Sequence, residues 1–148
     1  MNDRAFQFYE LLKDITSCCQ EREILQAAKY NLTISEARCL ISLELNACKT
    51  TADLADNMLV AKSRVTRVVD GLVKKGLVGR CEDKDDRRIC QVSLTNEGNR
   101  IAVDLFGFIL SLHEEVLGKL PDDLRDDTIT NLSLLRDAMH HVKDRLIA

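Results

Sequence analysis

The stretch that decides the fold runs from Thr50 to Leu94 and reads TTADLADNMLVAKSRVTRVVDGLVKKGLVGRCEDKDDRRICQVSL. At its start, Thr50 and Asp53 match a capping box, in which a hydroxyl and a carboxylate each accept a hydrogen bond from a backbone N–H group at the beginning of a helix. We therefore expect a short helix that ends near Met58 and is followed by a turn at residues 59–60.

A second helix is predicted after this turn, because apolar residues recur there at helical spacing. These are Val65, Val68, Val69, Leu72 and Val73. Most basic residues lie off this stripe, so one side of the helix should pack and the other should be exposed and cationic. The exposed residues that we expect to contact phosphates or base edges of DNA are Lys62, Ser63, Arg64, Thr66 and Arg67. Such a basic surface could also be exposed to solvent without binding DNA, so the helix by itself does not establish DNA binding.

A charged hairpin is predicted after this helix. Gly76 should end the helix in the left-handed conformation that glycine adopts most easily, and Lys75 before it is expected to contact the DNA backbone at most. Residues 77–82 and 89–94 predict two strands joined by the loop 83–88. A helix, a turn, a basic helix and a hairpin form the layout of a winged helix, in which one helix enters the major groove and the hairpin, or wing, reaches along the duplex. The sequence therefore predicts double-stranded DNA as a partner.

This stretch resembles the MarR (multiple antibiotic resistance regulator) family of winged helix-turn-helix transcriptional regulators. The matching residues are Leu54-Ala55, Ser63, Val65-Thr66-Arg67, Leu72, Lys75-Gly76-Leu77-Val78, Arg80, Asp86-Arg87-Arg88, Leu94-Thr95 and Gly98. The resemblance implies a mainly α fold with about six helices and a wing of two to three strands. One departure is Ala61, where the family usually has a polar N-cap, and this change weakens helix capping by ~1 kcal/mol.

The resemblance also implies a division of the chain into regions and a role for each part of the wing. Residues 1–148 would form one MarR-like domain, with dimerisation helices in 1–32 and 97–148 and the DNA-binding winged helix in 33–96. Within the wing, Asp86 would brace the loop and Arg88 would enter the minor groove. Lys84 and Arg87 supply further cations there.

The net charge of −3 is unevenly distributed along the chain. Residues 61–90 hold 9 Lys and Arg against 5 Asp and Glu, a balance of +4, so the rest of the chain carries −7. An acidic body beside a basic surface suits a DNA-binding protein, because it disfavours non-specific wrapping by nucleic acid. The length of 148 residues and the 45% hydrophobic content suit one globular domain and argue against a disordered or fibrous protein.

Two helices beside the central stretch begin with recognisable signals. Thr33 and Glu36 form a second capping box, which predicts a helix to about Leu45. Pro121 is expected at the first position of the last helix, where its missing N–H has no cost. The resemblance adds a third short strand at residues 48–50.

Broad apolar faces are predicted on three terminal helices, which cover residues 5–19 with an extension towards residue 32, residues 95–120, and the segment after Pro121. Together these faces exceed what one small winged helix can bury. We therefore predict an intertwined homodimer. A monomeric helical cap is the alternative.

The cysteine pattern indicates free thiols. No signal peptide and no apolar run of the ~20 residues that a membrane span needs is visible, so we expect a cytoplasmic protein with no membrane partner. Six cysteines in that reducing compartment argue against a disulfide framework. Cys18 and Cys19 are candidate oxidant sensors, because some relatives of the family use a thiolate on the first helix. Cys81 and Cys90 are predicted directly opposite each other on the wing strands, as apolar fillers or as a second redox pair.

Motifs of enzymes and metal sites are absent from the sequence, which has no Gly-rich phosphate loop, no H-E-x-x-H and no nucleophile elbow. His113-Glu114-Glu115 is interpreted as a solvated helix face. His140 and His141 are adjacent and should point to different sides of a helix, so they cannot readily share one metal. A metal site that uses His113 or His140 with a cysteine from another helix is the alternative. We predict no catalytic residue, no metal and no cofactor. A small Cys-dependent enzyme is the alternative from another class.

The sequence thus predicts a dimeric DNA-binding transcriptional regulator. We expect a repressor that leaves a pseudo-palindromic operator when a small aromatic or phenolic effector binds between the dimerisation and DNA-binding regions. The alternative signal is oxidation of Cys18 or Cys19.

Overall fold

Six α-helices and a small antiparallel sheet make up the described part of the computed structural model, which covers residues 3–43, 47–58, 60–82 and 90–147. In chain order the elements are α1 (Asp3–Lys29), α2 (Ile34–Ser42), β1 (Lys49–Thr50), α3 (Thr51–Met58), α4 (Lys62–Lys74), β2 (Val78–Glu82), β3 (Cys90–Leu94), α5 (Asn96–Gly118), a 3-10 turn (Asp122–Leu124) and α6 (Arg125–Ile147). The mainly helical winged helix-turn-helix prediction is therefore confirmed.

Both predicted capping boxes are present. The Thr33 hydroxyl accepts a hydrogen bond from the Glu36 N–H at 3.2 Å, and the Glu36 carboxylate accepts one from the Thr33 N–H at 2.8 Å. Thr50 and Asp53 make the same reciprocal pair before α3, with both distances at 3.1 Å. These side chains satisfy backbone donors that lack a partner within the helix, so they fix where α2 and α3 begin.

Helix α2 ends earlier than the sequence pattern predicted. It stops at Ser42 rather than near Leu45, because Leu43 adopts an extended backbone with φ −87° and ψ 128°. The freed carbonyl of Ser42 accepts a hydrogen bond from the Lys49 ammonium at 2.6 Å. The implied third strand is present as β1, which pairs with β3.

The wing strands pair one residue away from the predicted register. The sheet has the order β1-β3-β2, and its register joins Cys81 to Gln91 and Glu82 to Cys90. The prediction that Cys81 and Cys90 are directly opposite each other is therefore wrong. Neither cysteine has the other as its cross-strand partner.

The end of α4 determines where β2 begins. Gly76 has φ +71°, as expected for the glycine that follows a helix, and its conformation turns the chain so that the Leu77 N–H donates to the Leu72 carbonyl at 3.0 Å. Leu77 thus completes the helix end, and β2 begins at Val78 rather than one residue earlier. The Leu77 carbonyl still accepts a hydrogen bond from the Thr95 N–H at 3.1 Å.

Thr95 and Gly98 join the start of α5 to the end of α4. The Thr95 hydroxyl donates to the Gly76 carbonyl at 2.7 Å and accepts from the Gly98 N–H at 3.0 Å. A Cβ atom on Gly98 would lie 1.7 Å from the Leu77 carbonyl oxygen. Glycine is required there because the two backbones approach each other so closely.

A contiguous apolar core lies within the first of two compact units, residues 1–109. The large side chains that are fully buried in it are Leu40, Leu54, Val65, Val69, Leu72, Val92 and Leu105. They come from α2, α3, α4, β3 and α5, so one core joins the winged helix to the first half of α5. The low aromatic content of the sequence is consistent with this core of aliphatic residues.

The second unit, residues 110–148, contains the end of α5, the 3-10 turn and α6. Pro121 precedes the 3-10 turn, and α6 begins only at Arg125, so Pro121 is not at the first position of the last α-helix as predicted. At the start of α6, the Arg125 guanidinium donates to the Leu117 carbonyl at 3.0 Å and pairs with Asp122 at 2.6 Å. No residue of α6 is buried.

Large apolar side chains are exposed on α1, α5 and α6. Those at least half exposed include Phe6, Tyr9, Leu11, Ile15, Leu25, Val103, Val116, Ile129, Leu132, Leu134, Met139 and Leu146. None of the helices in the described ranges is both long and apolar enough to cross a membrane. The three faces predicted to need a partner are therefore uncovered in the single chain.

Candidate nucleic-acid interface

Helix α4 has one buried side and one basic side, as its sequence pattern predicted. Val65, Val69 and Leu72 are fully buried, and Val68 is 9% exposed. The basic face of α4 consists of Lys62, Ser63, Arg64, Thr66 and Arg67, and all five are exposed. The packed side fixes the rotation of the helix, so the structure presents these five residues on one surface of the N-terminal half.

The start of α4 has the weak cap that Ala61 predicted. Ala61 makes no side-chain hydrogen bond, and only backbone bonds from the Arg64 and Val65 N–H groups close the first turn on its carbonyl. The remaining N–H groups at this end are available to an anion such as a phosphate. The Thr66 hydroxyl donates to the Lys62 carbonyl at 3.1 Å, which leaves its oxygen able to accept a further hydrogen bond.

Asp70 and Arg80 connect the wing to α4. The Arg80 guanidinium lies 2.7 Å from the Asp70 carboxylate. Both side chains are more than one third exposed, so the pair contributes little to stability, about 1 kcal/mol at most. Its effect is on geometry, because it joins the first wing strand to the helix that carries the basic face. Sequence reasoning missed this role for Asp70.

The predicted wing contacts lie outside the described residues. Lys84, Asp86, Arg87 and Arg88 belong to this group. The structure describes the base of the wing, where β2 and β3 pair from Val78 to Glu82. The roles assigned to the wing tip by family resemblance therefore stay predictions.

Lys75 does not fit the role expected from its sequence position. Its ammonium donates to the Glu36 carboxylate at 2.7 Å and to the Asn31 carbonyl at 2.8 Å. Burial raises the pKa of Glu36, but hydrogen bonds from Lys75 and Thr33, together with the positive charge of Lys75, outweigh burial and lower the pKa below its ordinary value of 4.5. Glu36 is thus a buried, ionised carboxylate beneath the end of α4.

The four cysteines whose side chains the structure describes fall into two groups. Cys18, Cys19 and Cys48 are exposed, whereas Cys39 is fully buried. Burial, and secondarily the charge of Glu36, raises the pKa of Cys39 to about 11, so this thiol stays neutral at physiological pH. Exposure of Cys18 and Cys19 is compatible with oxidant sensing, which stays a prediction.

The histidines are not brought together with possible metal ligands in the described parts of the chain. No group of three or more His, Cys, Asp or Glu side chains with metal-binding geometry occurs there. His113 lies on α5, and His140 and His141 lie on α6.

An apolar groove lies between the end of α2, the end of β3 and the first half of α5. Its volume is about 280 Å³. It is lined by Ile41, Leu43, Leu94, Asn99, Ala102, Val103 and Phe106. Asn99 supplies a polar group among otherwise apolar side chains, so the groove suits a small, mainly apolar molecule.

A family model described as the MarR family matches residues 32–90. This match contains α2, α3, α4 and β2, and therefore the whole basic face.

The proteins that resemble the chain include the following two relatives. The HTH-type transcriptional regulator PapX of Escherichia coli is 28% identical over 76 residues, which cover 51% of this chain and 46% of PapX. The HTH-type transcriptional repressor MdtR of Bacillus subtilis is 31% identical over 97 residues, which cover 61% of this chain and 63% of MdtR. The chain thus spans about half to three fifths of the length of these two relatives.

The structure of Streptococcus pneumoniae FabT in complex with DNA has a TM-score of 0.78 with this chain. It covers 91% of this chain and 99% of the FabT chain at 16% identity. At that identity the likeness establishes the fold, and it extends beyond the winged helix to the terminal helices.

Proposed function

Because the MarR family model matches the winged helix of this chain at residues 32–90, we propose that the chain is a winged helix-turn-helix transcriptional regulator of that family, which binds double-stranded DNA in the cytoplasm and represses transcription as a homodimer. The observation that carries the proposal is the basic face of α4. Five exposed polar or cationic residues project from the helix that follows α3, which is the position of the recognition helix in a helix-turn-helix. MdtR, one of the relatives, is itself named a transcriptional repressor.

Two classes of contact are available on this face. Arg64 and Arg67 can bind guanine edges through two hydrogen bonds or pair with phosphates, and the hydroxyls of Ser63 and Thr66 can bond to either. Lys62 beside the weakly capped helix start suits a phosphate. In the wing, Arg88 is proposed to enter the minor groove while Asp86 braces the loop and Lys84 and Arg87 add positive charge.

The homodimer is proposed from the uncovered apolar faces. Leu11, Leu132 and Met139 are each about half exposed, although they lie on helices with apolar stripes. A second copy of the chain would cover these faces and would place two basic faces on one side of a duplex.

The apolar groove is the proposed effector site. It lies against α5, next to the elements that hold α4, and the proposed ligand is a small aromatic or phenolic compound. A ligand that binds one spacing of the two α4 helices better than another would shift the dimer away from the operator. This mechanism requires the effector to bind free protein more tightly than DNA-bound protein.

Genomic footprinting of the purified chain, followed by binding to the duplexes it identifies, tests the proposal. Arg64→Ala should weaken operator binding by about 1 to 3 kcal/mol and relax base preference at one position per half-site, because a base contact is lost. Arg100→Ala, on the exposed side of α5, removes the same charge away from the basic face and should leave base preference unchanged. If Arg64→Ala keeps the base preference of wild type at every position, its assignment as a base reader is wrong.

A further inference from the structure

Lys75 connects the end of α4 to a part of the chain that is distant in sequence. Its ammonium bonds to Glu36, which is 39 residues earlier, and to the carbonyl of Asn31, which is 44 residues earlier. Two of its three N–H donors are therefore occupied by the α1–α2 turn and the first turn of α2. The side chain is 34% exposed, but its charged end is held against the protein.

Glu36 receives this contact in a site that is nearly closed to solvent. Its side chain is 8% exposed, and its Oε2 atom accepts hydrogen bonds from both the Thr33 N–H at 2.8 Å and Lys75 Nζ at 2.7 Å. One carboxylate thus caps α2 and holds the end of α4. A change in the position of either helix would have to break a charge-assisted hydrogen bond, which is stronger than a neutral one.

Gly71 lets the Glu36 carboxylate approach α4 closely. A Cβ atom at Gly71 would lie 2.6 Å from Glu36 Oε1, so any other residue would push the carboxylate away from the helix. Glycine inside a helix costs about 1 kcal/mol relative to alanine. The close approach of Glu36 to α4 gives this glycine a structural reason.

The other contact of Lys75 stabilises an unusual backbone conformation. Asn31 has φ +55° in the turn between α1 and α2, a region that residues other than glycine adopt rarely. Its carbonyl is the second acceptor of the Lys75 ammonium. Lys75 therefore binds both the turn that ends α1 and the cap that begins α2.

Stability alone does not explain an ion pair at this position. Desolvation of a buried pair offsets much of its attraction, and apolar residues of similar size are often as stabilising. What a buried pair does provide is a defined geometry, because its hydrogen bonds are satisfied in one arrangement of the helices. Among the basic residues of the α4 region, Lys75 is thus tied to the protein, whereas the basic face is exposed.

We infer that Glu36 and Lys75 are positioning residues for DNA recognition, which hold the C-terminal end of α4 against the α1–α2 turn and thereby set the direction of the basic face. This inference rests on the proposed function. Helix α4 has 13 residues, so it is about 20 Å long at 1.5 Å per residue. A tilt of roughly 10° about its anchored end would move the opposite end by about 3 Å, which is enough to break hydrogen bonds to bases.

Operator binding by Lys75→Met, Lys74→Met, Lys75→Arg and Glu36→Gln tests the inference on the full-length chain. Lys74 is the matched control, because it is an exposed lysine that directly precedes Lys75 in the sequence. Lys75→Met should lower operator affinity about tenfold or more, and Lys74→Met by about twofold at most, since only the first would disturb base contacts. Lys75→Arg keeps a cation at the site and should bind nearly as wild type does.

The Glu36→Gln variant distinguishes an effect of helix positioning on operator affinity from an effect of net charge. It removes a negative charge from a protein that binds a polyanion, so electrostatics alone predicts tighter binding. Loss of positioning predicts weaker operator binding with little change in binding to random sequence. The glutamine keeps an acceptor for the Thr33 N–H, so the cap of α2 can persist.

Two further readouts guard against misinterpretation. Circular dichroism and thermal unfolding should show that each variant is folded at the assay temperature. The dependence of binding on salt should be the same for Lys75→Met and wild type, whereas a lost phosphate contact would lower that slope by about 0.9.

Equal behaviour of Lys75→Met and Lys74→Met, or tighter operator binding by Glu36→Gln, would overturn the inference while DNA binding itself stands. Failure of the wild-type chain to prefer any duplex sequence would instead refute the proposed function.

Discussion

Helices α4 and α6 both carry an apolar stripe, but the chain covers the stripe of α4 and leaves that of α6 exposed. On α4, Val65 and Leu72 are fully buried. On α6, Ile129, Leu132 and Met139 are 50%, 56% and 50% exposed. The same sequence pattern thus has two outcomes, because the chain supplies a surface that covers the stripe of α4 and none that covers the stripe of α6 among the described residues.

Helix α4 therefore belongs to a region that buries its apolar stripe within the chain, whereas the stripe of α6 stays exposed in the single chain. Most of the buried core and both capping boxes lie in the winged helix. Helix α6 contributes no buried residue. Changes in the winged helix should therefore act on folding and DNA contact, whereas changes on α6 should act on association.

The largest effect is expected where two backbones meet inside the winged helix. Gly98→Ala would place a Cβ atom 1.7 Å from the Leu77 carbonyl oxygen, so α5 or the end of α4 would have to move. We expect a loss of about 3 to 5 kcal/mol in the free energy of unfolding, measured by urea denaturation. Gly107→Ala, on the same helix, has open space around its Cβ and should not destabilise the protein. Equal stability of the two variants would contradict the close contact.

The second effect should appear in association rather than folding. Leu132→Glu places a charge on the exposed stripe of α6, and burial of that charge in a dimer would cost at least about 3 kcal/mol, or roughly a hundredfold in the dimer dissociation constant. Asn131→Glu introduces the same side chain at the position before Leu132 and should change the dimer dissociation constant much less. Sedimentation equilibrium measures the dissociation constants of both variants. Unchanged dimerisation of Leu132→Glu would remove α6 from the interface.

The smallest effect concerns the ion pair between Glu36 and Lys75. Because the pKa of Glu36 is lowered in the folded protein, its contribution is fully present above the unfolded pKa and is lost as the pH falls through the folded pKa. Glu36→Gln should therefore destabilise the protein by about 1.5 kcal/mol at pH 7 and by less at pH 3. Asp53→Asn, at an exposed capping carboxylate, should have a smaller effect. If the loss in the free energy of unfolding caused by Glu36→Gln is as large at pH 3 as at pH 7, this account is contradicted.

Local signals predicted the helix boundaries that depend on neighbouring residues. The pairs Thr33 with Glu36 and Thr50 with Asp53 marked two helix starts, because a capping box needs only four consecutive residues. Gly76 marked a helix end for a similar reason. The basic face of α4 followed from the spacing of its apolar residues.

Features that depend on distant residues could not be predicted in the same way. The register of the wing differs by one residue from the predicted one, because alternation along each strand does not fix which residues of two strands face each other. The sequence pattern predicts that Lys75 faces DNA. Its contact with Glu36 could not be predicted, because Glu36 is 39 residues away in the sequence. Gly71 was the available signal, since a glycine inside a helix often marks close packing.

We propose that two copies of this winged helix bind one duplex through their basic faces. Hydroxyl-radical footprinting of the purified chain on a genomic site tests it most directly. We predict two protected half-sites, related by two-fold symmetry and separated by ~10 bp or a multiple of it on one face of the duplex. A single asymmetric protected site, bound by a chain that sediments as a monomer, would contradict the claim.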